Sequence, residues 1–299
     1  MMRFETLKTL ALTLLILGCW SFEALAQQGR PPLRKHTATK SQPLKLVPAN
    51  KRVSGGAVDI SQSGNSIRIK SNGVPTHPVG AFPNRGNPHA ISRQRYNFKV
   101  AANPRKAART NASLRTLFGV GLNGVPFDPG AGEFWQGNPR GGWQYEALGG
   151  AVPLGLDANY AHVQPGGIYH YHGLPTGLMS QLGWSASKPS PLIGYAADGF
   201  PVYAITANIS GRVKKMRSSY RLKSGSRPGG SAPSGRYDGT FVQDYQYVAG
   251  AGDLDECNGA TVRTAEYPNG TYAYFLSETF PVIPRCFKGQ VDRSFAKRR

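Results

Sequence analysis

Gly166-Gly167-Ile168-Tyr169-His170-Tyr171-His172-Gly173 is the stretch that decides the fold class. Aromatic and imidazole side chains alternate with a period of two, and glycines open and close the run. That pattern predicts a β-strand. On a strand, residues i and i+2 point to one face, roughly 6.5–7 Å apart. His170 and His172 therefore share a face, and Tyr169 and Tyr171 take the other. Gln164-Pro165-Gly166-Gly167 reads as a turn, so His162 can return from a preceding strand or loop. Three of the chain's six histidines then belong to one hairpin.

Outward from this segment, short β-prone runs recur between Gly and Pro. Ile67 and Ile69 alternate within Ser66–Lys70, aromatic and basic residues alternate over Tyr96–Val100, and Phe118–Leu122 is apolar. The 37 glycines and 23 prolines suit many tight turns. No long window has the spacing of an amphipathic helix. Ala101–Leu117 comes nearest, but Pro104 interrupts it. The expectation is a mainly β chain: one β-rich domain over residues 55–290, sandwich- or barrel-like, with little helix. Residues 27–54, rich in Pro, Lys, Gln and Ser, read as a disordered basic linker. Residues 291–299 read as a basic tail, and Arg212–Ser234 as a basic surface excursion.

The N-terminus reads as an export signal. Arg3 and Lys8 precede an apolar run, Thr9–Trp20, and Ala24-Leu25-Ala26 fits the small-residue cleavage rule. Ile16-Leu17-Gly18-Cys19 offers the alternative of a lipoprotein cut before Cys19, weakened by the bulky Leu17. The expected location is the periplasm or outside the cell, with no membrane helix after the signal. Cleavage leaves Cys257 and Cys286, an even count that favours one disulfide in an oxidising compartment. Two buried thiols are the alternative.

Thirty-six Lys and Arg oppose sixteen acids, a net charge of +20. No acid occurs between Asp59 and Asp128, nor between Asp198 and Asp238. Outside the cytoplasm such a chain would meet anionic envelope polymers or acidic polysaccharide. Nucleic acid is disfavoured, because no recognised nucleic-acid motif is present and export removes the chain from it.

Neutral imidazoles suit Zn or Cu among divalent metals, and three protein ligands plus an open position is the arrangement of catalytic zinc. His162, His170 and His172 are the expected metal ligands. The alternative is a metal-free polar cluster. Asp198, in Ala197-Asp198-Gly199-Phe200-Pro201, is a candidate catalytic carboxylate, or a turn residue accepting backbone N–H groups. Asp157, Glu146 and His77 are further candidates. Asp253-Leu254-Asp255-Glu256-Cys257-Asn258-Gly259 does not fit the calcium-loop template, because its Gly stands seventh and Cys257 takes a ligand place. No phosphate loop, nucleophile elbow or His-Glu-x-x-His motif occurs.

An ordered set of segments resembles the YHYH family of secreted proteins. It includes Ser71–Pro83, Gly119–Pro129, Gly142–Glu146, His162 before Tyr169–Gly173, Ile193–Tyr203, Leu254–Gly259, Tyr267–Tyr272 and Phe280–Gly289. The resemblance implies an exported domain suspected of binding metal, with no family-wide reaction. Many relatives carry a histidine where this chain has Ala273, so the resemblance leaves open a site here with one ligand fewer. The reaction, if there is one, is hydrolytic with Zn or oxidative with Cu. The competing function is a non-enzymatic envelope-binding module.

Overall fold

The computed structural model describes residues 35–111 and 116–297; the signal segment and Cys19 lie outside the described residues. The described chain is mainly β. Its centre is an eight-stranded mixed sheet. From one edge to the other the strands are Gly259–Val262, Thr271–Leu276, Pro201–Ala204, Gly194–Ala196, Gly119–Gly121, Pro126–Phe127, Ile168–Tyr171 and Ala161–Gln164. Two neighbouring pairs are parallel: Pro201–Ala204 with Thr271–Leu276, and Pro126–Phe127 with Ile168–Tyr171. The sheet has two free edges and is not a closed barrel.

The central strands are short, and both their faces are buried. Pro201–Ala204 and Gly119–Gly121 have no exposed residue. Val120, Val202, Ala196 and Phe127 sit in the main core with Tyr171 and Tyr274. A second sheet, Val58–Ser63, Ser66–Ser71 and Tyr96–Ala101, is antiparallel and covers that core with one face. Ile67, Ile69, Phe98 and Val100 point inward, while Arg68, Lys70, Asn97 and Lys99 point to solvent. The alternation read from sequence is the alternation of burial.

The structure adds detail at three stretches. Ala101–Leu117, the nearest helix candidate, contains the strand Lys106–Asn111, paired with Phe287–Gly289. Among the described residues the one α-helix is Thr176–Gln181. The polar segment read as a disordered linker is ordered from residue 35 and belongs to the compact unit Arg34–Arg299. His36, Val47 and Lys51 form single backbone bridges to Trp135, Asp157 and Val79. Leu44 and Leu46 pack against the buried cluster that contains Tyr145 and Phe241. The tail is likewise held from Val291 to Lys297, since Phe295 is buried and stacks on Phe98 at 4.5 Å.

The basic segment after Arg212 carries less free charge than its sequence suggests. Lys214 and Arg217 pair with Asp253, and Lys215 pairs with Glu278. Arg227 is fully buried and sits 2.6 Å from both Asp238 and Asp244. Cys257 and Cys286 form a disulfide. No helix among the described residues is long and apolar enough to cross a membrane.

Candidate metal centre

The hairpin Ala161–Gln164/Ile168–Tyr171 builds the site. Its turn places Pro165 second and Gly166 third with φ +87°, the arrangement of a type II turn, and Gly167 follows at φ +75°. Both glycines occupy backbone space that other residues enter only with strain. The turn fixes the register, so His162 stands directly opposite His170. His172 follows two residues on, and its N–H donates to Tyr160 O at 2.8 Å, continuing the ladder. Period two and antiparallel pairing thus put three imidazoles on one face.

Their ring nitrogens converge. Nε2 of His172 lies 3.0 Å from Nε2 of His170 and 3.1 Å from Nε2 of His162. The outer nitrogens settle two tautomers. Nδ1 of His162 donates to Leu154 O at 3.0 Å, and Nδ1 of His170 donates to Ile168 O at 3.2 Å. A carbonyl only accepts, so each Nδ1 carries the hydrogen and each Nε2 is a bare lone pair. Nδ1 of His172 is buried without a hydrogen-bond partner. Without a cation, a hydrogen on Nε2 of His172 serves one of the other two Nε2 lone pairs and leaves Nδ1 of His172 unmet.

Charge does not relieve this by protonation. Burial is the main cause pushing all three imidazoles toward the neutral form: His162 falls to about 3, His170 is lowered, and His172 is lowered well below the ordinary value. The neighbouring imidazoles add to the effect at His162 and His172, while Asp128 opposes it at His170. Neutral imidazole is the form that binds metal. For nitrogen ligands at about 2.0–2.1 Å in a tetrahedral set, the nitrogens stand ~3.3 Å apart. The observed spacing is close to that, and the donors fit a divalent ion. These three are the group of metal-binding side chains found close together among the described residues.

The tyrosine face of the same strand is a separate hydrogen-bond network. Tyr169 OH donates to Asp157 Oδ2 at 2.8 Å. Tyr171 OH accepts from Asn123 Nδ2 at 2.9 Å and donates to Nε2 of His77 at 2.5 Å, while Nδ1 of His77 donates to Pro78 O. Asp157 also accepts from the N–H groups of Gly80 and Asn159. His77 and Asp157 therefore organise loops behind the sheet and do not join the three histidines.

Asp198 is elsewhere again. Its carboxylate accepts from Tyr274 OH at 2.6 Å, Gly289 N–H at 2.9 Å and Phe200 N–H at 3.4 Å. It is buried in the turn after Gly194–Ala196, three strands from the histidine strand. Glu146 is buried against Arg285, 2.5 Å away. Burial pushes its carboxyl up, against the pull of the guanidinium. Ala273 packs with Tyr203 and Phe275 on a strand five spacings from the hairpin. A histidine at that position would not complete this set.

The histidines open on a cleft of about 330 Å³, lined also by His36, His89, Asn87 and Glu133. Five of the six histidines thus meet in one place. Glu133 is half-buried, and burial raises its carboxyl above the usual range. Sequence reasoning missed Glu133, His36 and His89, which come from three separate loops. The one signal for Glu133 is a lone acid in the glycine-rich run Gly130-Ala131-Gly132-Glu133.

A family profile described as YHYH protein matches residues 97–289, which include the whole hairpin. No curated protein and no solved structure matches the chain.

Proposed function

Since this chain belongs to the YHYH family, we propose that it is an exported metalloprotein that holds one divalent ion, zinc before copper, through Nε2 of His162, His170 and His172. The single observation that carries this reading is the convergence of three Nε2 atoms while the Nδ1 atoms of His162 and His170 donate to carbonyls. Export is supported by the leader-like N-terminus and by the Cys257–Cys286 disulfide.

Three protein ligands leave a position toward the cleft, which favours hydrolysis over storage. A divalent ion there supplies Lewis acidity, polarising a substrate oxygen or lowering the pKa of a water toward about 7. The chain's own groups do the rest. Leu154 O and Ile168 O hold two rings in one tautomer and orientation. Glu133, with its raised carboxyl, accepts and returns a proton at the cleft wall. Asp198 is assigned to holding its own turn. Oxidative copper chemistry with tyrosine help is less favoured, because Tyr169 and Tyr171 are committed to Asp157 and His77 on the other face.

The test is metal content of protein purified without a histidine tag. About one equivalent of zinc is expected, retained on dialysis and lost in the His170→Ala/His172→Ala variant. Equal metal in that variant would sink the reading.

A further inference from the structure

A second groove, of about 530 Å³, is lined by Arg293, Tyr96 and Asn97 together with Gln164 and Ile168 of the histidine hairpin. Gln164 lines both this groove and the histidine cleft, so the two adjoin at the hairpin turn. Arg95, Arg293 and Lys297 line it, and no acid does. Lys297 is neutralised by Asp128 at 2.7 Å. Arg95 and Arg293 are exposed and form no ion pair among the described residues.

The positive surface continues beyond the groove. Arg68 reaches Asn97 Oδ1 at 3.1 Å, and in the sheet register Arg68 stands directly opposite Lys99. Like charges in direct cross-strand register repel, and here neither has an acidic partner to offset it. Arg95, Arg293, Arg68 and Lys99 thus give this part of the surface positive charge that no acid offsets.

We propose that this groove binds a strand of acidic polysaccharide and lays it against the histidine cleft. Charge complementarity selects the acidic groups, and the amide side chains of Asn97 and Gln164 suit sugar hydroxyls. A nucleic acid would need open aromatic faces for its bases. Tyr96 instead stacks on Phe98 at 4.9 Å, and Phe98 stacks on Phe295. Presentation to the histidines rests on the metal reading; binding in the groove does not.

The experiment titrates chelator-treated full-length protein with a short oligogalacturonate, and with its neutral methyl ester. Binding to the acid form alone is expected. The Arg95→Glu/Arg293→Glu variant should bind about tenfold more weakly or worse, and the wild-type affinity should fall with salt. A charge-matched variant, Lys188→Glu/Arg263→Glu, changes exposed residues at a separate cavity and should bind as wild type. Wild-type affinity in the Arg95/Arg293 variant, or equal loss in the matched variant, overturns the groove. Tighter binding of polyphosphate or an oligonucleotide through the same arginines overturns the polysaccharide assignment. Metal is absent throughout, so failure of the metal reading shows only in metal content.

Discussion

His162 and His170 stand directly across the hairpin from each other, each with Nδ1 tied to a main-chain carbonyl. The His170 ring is thereby aimed by the hairpin's own backbone, and the His162 ring by Leu154 in the loop before it. The geometry of the donors is consequently as stiff as the hairpin and that loop.

Gly167→Ala should loosen that hairpin. Gly167 has φ +75°, and a Cβ there would run into Ser92. A loss of more than ~1 kcal/mol is expected, with weaker zinc binding, because strain at such a position exceeds any gain from the stiffer unfolded chain. Denaturant unfolding and a zinc competition titration check both parts. Unchanged stability would mean that the turn is not as described.

Tyr171→Phe should separate the two faces. It leaves the Asn123 and His77 groups without their shared hydroxyl. Stability should fall by about 1–3 kcal/mol. Zinc stoichiometry should stay the same, since the ring faces away from the histidines. Loss of zinc in this variant would contradict the assignment of Tyr171 to a separate network.

The metal-free protein should lose stability as pH falls. His162, His170 and His172 have folded-state pKa values below 6.5, so the unfolded chain binds more protons in that range. Stability then rises with pH and is lost from 6.5 downward, continuing to about 3 for His162. Melting temperature against pH, in chelator, should show this slope. The His162→Asn/His170→Asn/His172→Asn variant should show less of it.

Arg227→Met should be severe. Arg227 and Asp244 have fully buried side chains, and the substitution strands Asp244 without its cation. Removing one partner of such a pair costs about 3–5 kcal/mol. Adding Asp244→Asn should recover part of the loss. Equilibrium unfolding of both variants measures the coupling.

Much of the site was legible because it is local. Period two put His170 and His172 on one face, and Pro165-Gly166-Gly167 returned the chain so that His162 could join them. Ile67 and Ile69 marked a sheet face for the same reason. What could not be read depends on contacts between distant segments. Glu133, His36 and His89 reach the cleft from loops with no periodic pattern. Arg227 looked like one more surface cation until Asp238 and Asp244 closed around it. Residues 35–54 looked unstructured by composition, yet a few apolar side chains and single backbone bridges are enough to hold them.

The division of one strand into a tyrosine side and a histidine side has an engineering consequence. The hydroxyl network anchors Ile168–Tyr171 to the protein from behind, through Asp157, Asn123 and His77. A thiolate or carboxylate at position 162, 170 or 172 would be presented by the same hairpin, with its buried charge offset only when a cation is bound. An inserted residue between His162 and His172 has the opposite effect, turning imidazoles into the interior and phenols into the cleft. The hairpin is a cassette that can carry new chemistry but no change of phase.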